Sequence, residues 1–171
     1  MSSRSRARTK FADNHGMTSL RNDDSADWRA HLLESIDQIR DLLSRTRRIA
    51  VLGIKTEAQS FQPAFYVPEY AQSAGYEIIP VPVYYPDVTT ILGQPVYRRL
   101  ADIPGEVDIV NVFRRSHDVP PHVDDILAKR PKAVWMQSGI RHDEVAQRLA
   151  QAGIDVVQDR CLMVEVRRLV R

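Results

Sequence analysis

Four short stretches carry residue types that could recognise an anionic ligand. Gly53 is followed by Ile54, Lys55 and Thr56, with Gln59 and Ser60 close behind. A glycine that ends an apolar run, then a cation and hydroxyls ahead of a helix, can cradle phosphate, because unpaired N–H groups at a helix N-terminus attract anions. The same pattern also serves as an ordinary strand-to-helix connection. Neither GxGxxG nor the P-loop pattern GxxxxGK is present. Arg114 and Arg115 stand after a second apolar run. The guanidinium fork donates two bonds to phosphate, and alternation along an extended chain would turn one arginine to a ligand and the other to an acid. Gln137, Ser138 and Gly139 offer an amide, a hydroxyl and a glycine that permits close backbone approach. That is recognition chemistry rather than proton transfer. The fourth stretch, Pro80-Val81-Pro82-Val83, has no acid until Asp87. Dinucleotide-binding folds place an acid there to bond the ribose, so the stretch speaks against NAD. A stiff apolar edge suits an adenine ring or an alkyl chain.

Catalytic constellations are sparse. Ser116, His117 and Asp118 are sequence neighbours, the wrong arrangement for a triad assembled from separate loops. His117, His122 and His142 lack metal-ligand spacing and read as surface residues. Cys161 lies just before a C-terminal helix, where it is either a reactive thiol or a small buried hydrophobe.

Regular elements must bring these loops together. Apolar runs at 49–53, 77–81, 108–113, 132–136 and 155–157 read as strands. Helical patterns at 64–74, 121–129, 143–152 and 162–170 lie between and after them. Pro68 should kink the first of these helices or delay its start. Between 82 and 106 prolines and glycines break any long element, leaving a loop with a turn near Ile91–Leu92 and a brief strand at 95–97. Strands alternating with helices predict a Rossmann-like, doubly wound parallel sheet of about five strands in three α/β/α layers. Trp28, Leu32, Ile36, Ile39 and Leu43 recur at helical spacing, so an extra N-terminal helix is expected over 27–44, capped by Asp24 or Ser25.

The 171 residues suffice for one domain with a substantial core. The division expected is a disordered basic tail, 1–23, and a single domain, 24–171. Arg4, Arg6, Arg8 and Lys10 account for the net charge of +2; the rest of the chain holds 20 basic and 22 acidic residues. The folded part is therefore not a basic surface, and nucleic acid is not an expected partner. No apolar run is long enough to span a membrane, and the N-terminus lacks a secretory core. The single cysteine fits a reducing, cytoplasmic setting.

Taken in order, IAVLG at 49–53, AGYEIIPV at 74–81, LG at 92–93, LADIP at 100–104, VDIVNVFRRS at 107–116, VWMQSGI at 134–140 and AGIDVVQDRC at 152–161 resemble the small stand-alone coenzyme A-binding Rossmann proteins. These are related to the nucleotide-binding domain of succinyl-CoA synthetase alpha subunits. The resemblance covers about residues 47–171. It implies binding of coenzyme A or an acyl-CoA without catalysis. Gly53, Ile54, Lys55 and Thr56 would then hold the phosphates. Pro80 and Val81 would line the adenine side, Phe113 and Arg114 the middle, and Gln137, Ser138 and Gly139 the far end. The chain departs from the family pattern in two places: Lys55 stands where a serine is usual, in a loop about two residues longer, and Pro82 stands where an asparagine is usual. Two other readings remain open at this point. One is an acyl-CoA-using enzyme or carrier with Cys161 near the thiol end. The other is an oligomerisation or interaction module without a ligand, and a homo-oligomer is compatible with either.

Overall fold

Strand β1 (Arg48–Leu52) occupies the middle of the fold, and its alternation sets the layers. Ile49 and Val51 pack into one apolar cluster, Ala50 and Leu52 into another on the opposite face. All four are buried, as expected of a parallel strand covered on both sides. A computed structural model describes residues 27–169; the expected tail 1–23 and the proposed caps Asp24 and Ser25 lie outside them.

The remaining elements are α1 (Ile36–Ser44), α2 (Pro63–Ser73), β2 (Glu77–Val81), β3 (Thr90–Ile91), β4 (Gln94–Pro95), β5 (Ile109–Val112), α3 (Val123–Lys129), β6 (Ala133–Met136), α4 (Asp143–Gln151), β7 (Asp155–Val157) and α5 (Leu162–Leu169). Five strands form one parallel sheet in the order β2-β1-β5-β6-β7. Ile39, Leu42 and Leu43 of α1, Phe65, Val67 and Ala71 of α2, and Leu162 and Val166 of α5 cover one face. Val123 and Ile126 of α3 and Val145 and Leu149 of α4 cover the other. The chain is thus the three-layer, doubly wound α/β fold that the strand–helix alternation predicted. Its strand order reverses between β1 and β5, so a crevice opens at the C-terminal ends of those two strands.

At the opposite edge of the sheet, Asp108 ties two strands together. Its Oδ2 accepts the N–H groups of Arg47 and Arg48, both at 2.9 Å, and its Oδ1 lies 3.0 Å from the Lys132 ammonium. Burial works against the charge, but the Arg48 and Arg47 N–H groups and Lys132 outweigh it and hold the carboxyl below its ordinary value.

Three local expectations are corrected. The helix predicted over 27–44 is two pieces, a 3-10 turn (Trp28–His31) and α1. The break arises because Leu33 N–H bonds the Val156 carbonyl at 2.9 Å, making the segment a short addition to the edge of β7. A capping box then starts α1: Ser35 Oγ accepts the Gln38 N–H and Gln38 Oε1 accepts the Ser35 N–H. Ile36, expected on the buried face, is 40% exposed. Second, α2 runs from Pro63 through Pro68 to Ser73. Third, the brief strand near 95–97 is a two-stranded hairpin, β3 and β4, turning on Leu92 and Gly93, both at positive φ as a tight hairpin turn demands.

Candidate functional site

Gly53 ends β1 at φ +87°, and its N–H bonds the Val81 carbonyl at 2.9 Å. A Cβ placed there would lie 2.3 Å from the Phe113 carbonyl oxygen and 3.2 Å from Arg114 Cδ. Only glycine permits this approach, and it brings the ends of β1, β2 and β5 together at the crevice.

The loop that follows is anchored by an unusual acceptor. Pro68 has no N–H, so the Ala64 carbonyl four residues earlier has no helical partner. The Lys55 N–H takes it at 3.1 Å. Lys55 therefore contributes its side chain and not its backbone donor. Ile54 turns inward and is 1% exposed. The Thr56 hydroxyl donates to Gln59 Oε1 at 2.7 Å. Glu57 Oε1 accepts the Leu92 N–H at 2.8 Å, which fixes the β3–β4 turn beside the loop.

The charged centre of the crevice is built around an aromatic ring. Lys55 Nζ lies 5.3 Å from the centroid of Tyr84 and 5.7 Å from that of Tyr85. Arg114 Cζ lies 5.6 Å from the Tyr84 centroid. Tyr84 is thus in cation–π range of two cations at once, and it is 55% exposed. The Arg114 guanidinium, by hydrogen bond and by charge, draws the Tyr84 phenol below the usual tyrosine range. The loop is held by Arg98, whose guanidinium donates to the carbonyls of Tyr84, Pro86 and Val88. Pro80, Val81 and Pro82 are buried beneath it.

The two arginines differ in exposure, but both approach one acid: Arg114 Nη2 lies 3.9 Å and Arg115 Nε 3.0 Å from Asp118 Oδ2. Arg114 has a side chain only 16% exposed, and its Nε is buried without a hydrogen-bond partner. Arg115 points outward and bonds Asp118 at 3.0 Å. That bond is the main reason the Asp118 carboxyl is held below its ordinary value. Burial, helped by the Arg114 charge, lowers the pKa of His122 below its ordinary value. Among the described residues no cluster of histidines, cysteines and carboxylates could hold a metal.

The fourth stretch has a mixed role. Gln137 is 4% exposed, and both ends of its amide are engaged inside the fold: Nε2 donates to Asn111 Oδ1 at 2.7 Å and Oε1 accepts the Leu162 N–H at 3.3 Å. The amide expected to read a ligand ties β5 to the start of α5. The Gly139 N–H goes to Asp159 Oδ1 at 2.6 Å. Ser138 is exposed and, with Cys161, lines a separate cavity of about 890 Å³.

Residues 47–167 match the family model described as CoA binding domain. The chain belongs to this family. An uncharacterized protein of Bacillus subtilis (strain 168), YneT, is 36% identical over 127 residues, spanning 74% of this chain and 90% of that protein. The solved structure of cell-free ID.343 from Thermus thermophilus superposes with a TM-score of 0.73 at 41% identity, covering 80% of this chain and 99% of that one. A hypothetical protein from Pyrococcus horikoshii OT3 gives 0.72 at 27% identity, covering 91% and 100%. For a member of the CoA-binding domain family, the residues that sequence reasoning passed over are Tyr84, Tyr85 and Glu57. The aromatic pair adjoining the Pro80–Val83 edge was the available signal for the first two. Nothing in the local sequence pointed Glu57 at Leu92.

Proposed function

We propose that the protein binds coenzyme A or an acyl-CoA, without catalysing a reaction on it, in the crevice at the ends of β1, β2 and β5. The observation that carries this reading is the pair of cations, Lys55 and Arg114, flanking the exposed Tyr84 ring over Gly53. Coenzyme A carries its negative charge on a pyrophosphate and a ribose phosphate beside an adenine. Two cations and an aromatic face at one sheet edge match that combination. The orphaned Arg114 Nε has a donor to offer an incoming oxygen. The absent side chain of Gly53 keeps the strand ends close, so the cations share one mouth. Family membership supports the same ligand. When bound, coenzyme A would supply a carrier thiol. Lys55 stands where a serine is usual in the family, so here part of the phosphate recognition passes from a hydroxyl to a point charge.

The reading extends to a small-molecule nucleotide as partner and the cytoplasm as compartment. Among the described residues no helix is long and apolar enough to cross a membrane. Thermal denaturation tests it. Millimolar coenzyme A should raise Tm, since a ligand bound only by the native state stabilises it, and NAD should not. Lys55→Ala should weaken coenzyme A binding by about tenfold, the loss of one charge-assisted contact. No shift with coenzyme A, or a shift with NAD alone, would overturn the assignment.

A further inference from the structure

Beyond the phosphate crevice, the same sheet edge leads to the cavity of about 890 Å³ near the ends of β6 and β7. Its wall combines the apolar residues Trp28, Leu32, Val156 and Val164 with an unbalanced set of charges. Glu34, Asp143, Glu144, Asp159 and Glu165 line it, against only Arg141 and Arg160. Both guanidiniums are already engaged. Arg141 lies 3.0 Å from Asp143, and Arg160 bonds the Glu34 carbonyl at 2.8 Å and Glu165 Oε1 at 3.4 Å.

Glu165 is the decisive residue. It is 6% exposed, it lines the cavity, and its Oε2 is buried with no hydrogen-bond partner. A buried acceptor left unmade is costly, so the site calls for a donor. The cavity is separate from the crevice but neighbours it along the row of strand ends. Ser138 belongs to its wall, and the Arg141 N–H bonds Ser116 Oγ at 3.1 Å, which joins the loops after β5 and β6. The crevice lies between β1 and β5 and the cavity beside β7, two to three strand spacings along one edge, about 10–15 Å.

We infer that this cavity is the acyl subsite of the coenzyme A site, and that it selects acyl groups bearing a hydroxyl or amide hydrogen-bond donor over acyl groups bearing a carboxylate. The inference rests on the coenzyme A reading above. With the phosphates at Lys55 and Arg114, the uncharged pantetheine arm runs along the edge past Ser138 and delivers the thioester to the cavity. The apolar side receives the chain, Glu165 Oε2 accepts its donor, and the surplus of carboxylates repels a carboxylated acyl group. Cys161, on the cavity wall, serves as a reporter of occupancy.

The test compares coenzyme A, 3-hydroxybutyryl-CoA, butyryl-CoA and succinyl-CoA by calorimetry on the full chain, and follows alkylation of Cys161 by iodoacetamide in the presence of each. 3-Hydroxybutyryl-CoA should bind about tenfold more tightly than butyryl-CoA and more tightly still than succinyl-CoA, and should slow Cys161 alkylation most. Glu165→Met should erase the hydroxyl preference, bringing 3-hydroxybutyryl-CoA to the affinity of butyryl-CoA. Protection of Cys161 in the wild-type protein gives an answer even if that variant fails to fold. Equal affinities across the acyl series with unchanged alkylation, while coenzyme A binds, would overturn the acyl subsite and leave the coenzyme A reading standing. Failure of coenzyme A itself to bind would overturn both.

Discussion

The Lys55 N–H bonds the carbonyl of Ala64 at 3.1 Å, an acceptor left without a helical partner by Pro68. A residue that would ordinarily disrupt a helix here attaches the phosphate-side loop to it. Pro68→Ala would restore an N–H that competes for the Ala64 carbonyl. Tm should stay within a few degrees, because the gain in helix propensity offsets the small volume lost from a buried site. Coenzyme A affinity should fall several-fold as the loop loses its anchor. Calorimetry of the variant checks this, and an unchanged affinity would show that the loop holds its position without the bond.

Gly53→Ala should be among the most damaging single-methyl additions in the chain. It combines φ +87° with a Cβ 2.3 Å from a backbone oxygen, which no side-chain rotation can relieve. A loss on the order of 3 kcal/mol is expected, measured by urea denaturation. A loss below about 1 kcal/mol would mean that β1 and β5 can separate at their ends at little cost.

The Tyr84 phenol should ionise at lower pH than an ordinary tyrosine. The difference in ultraviolet titration between wild type and Tyr84→Phe isolates this one residue. Arg114→Met should move the midpoint upward, since the Arg114 hydrogen bond and charge are the principal causes. Saturating coenzyme A should also raise it as phosphate neutralises the cations. A midpoint insensitive to Arg114 would separate the ring from the charged mouth.

Asp108 should contribute to the acid limb of stability. A carboxyl held below its unfolded value stabilises the fold fully above that value, about pH 4, and loses the contribution as pH falls through its folded value. Asp108→Asn should cost about 2 kcal/mol at pH 7 and flatten the decline of stability below pH 4. Chemical denaturation at pH 7, 4 and 3 measures both. Parallel declines in the two proteins would assign the acid sensitivity to other carboxylates.

The sheet was legible because its strands are short apolar runs bounded by Gly, Pro and charge; β2 and β7 have the limits their sequences predict. The N-terminal helix was not, because its apolar spacing fits one long helix while Leu33 is drawn to an edge strand more than 120 residues away. Pro68 misled for a related reason: the helix tolerates it through a bond from another loop. Gln137 reads as a recognition amide until Asn111 and Leu162 are seen around it. Lys55 and Arg114 were legible as cations, but their meeting over Tyr84 depends on the path of a proline-rich loop that carries no periodic signal.

The segment before α1 has a consequence for self-assembly. Leu32 and Leu33 occupy the outer side of β7, and on the far side of the sheet the Tyr97 N–H takes the Pro80 carbonyl of β2 at 2.9 Å. Both borders of the sheet are thereby guarded against recruiting a strand from another copy. Any homo-oligomer of this chain is therefore expected to join through side chains on helices and loops, leaving the row of strand ends on each copy open to its own ligand.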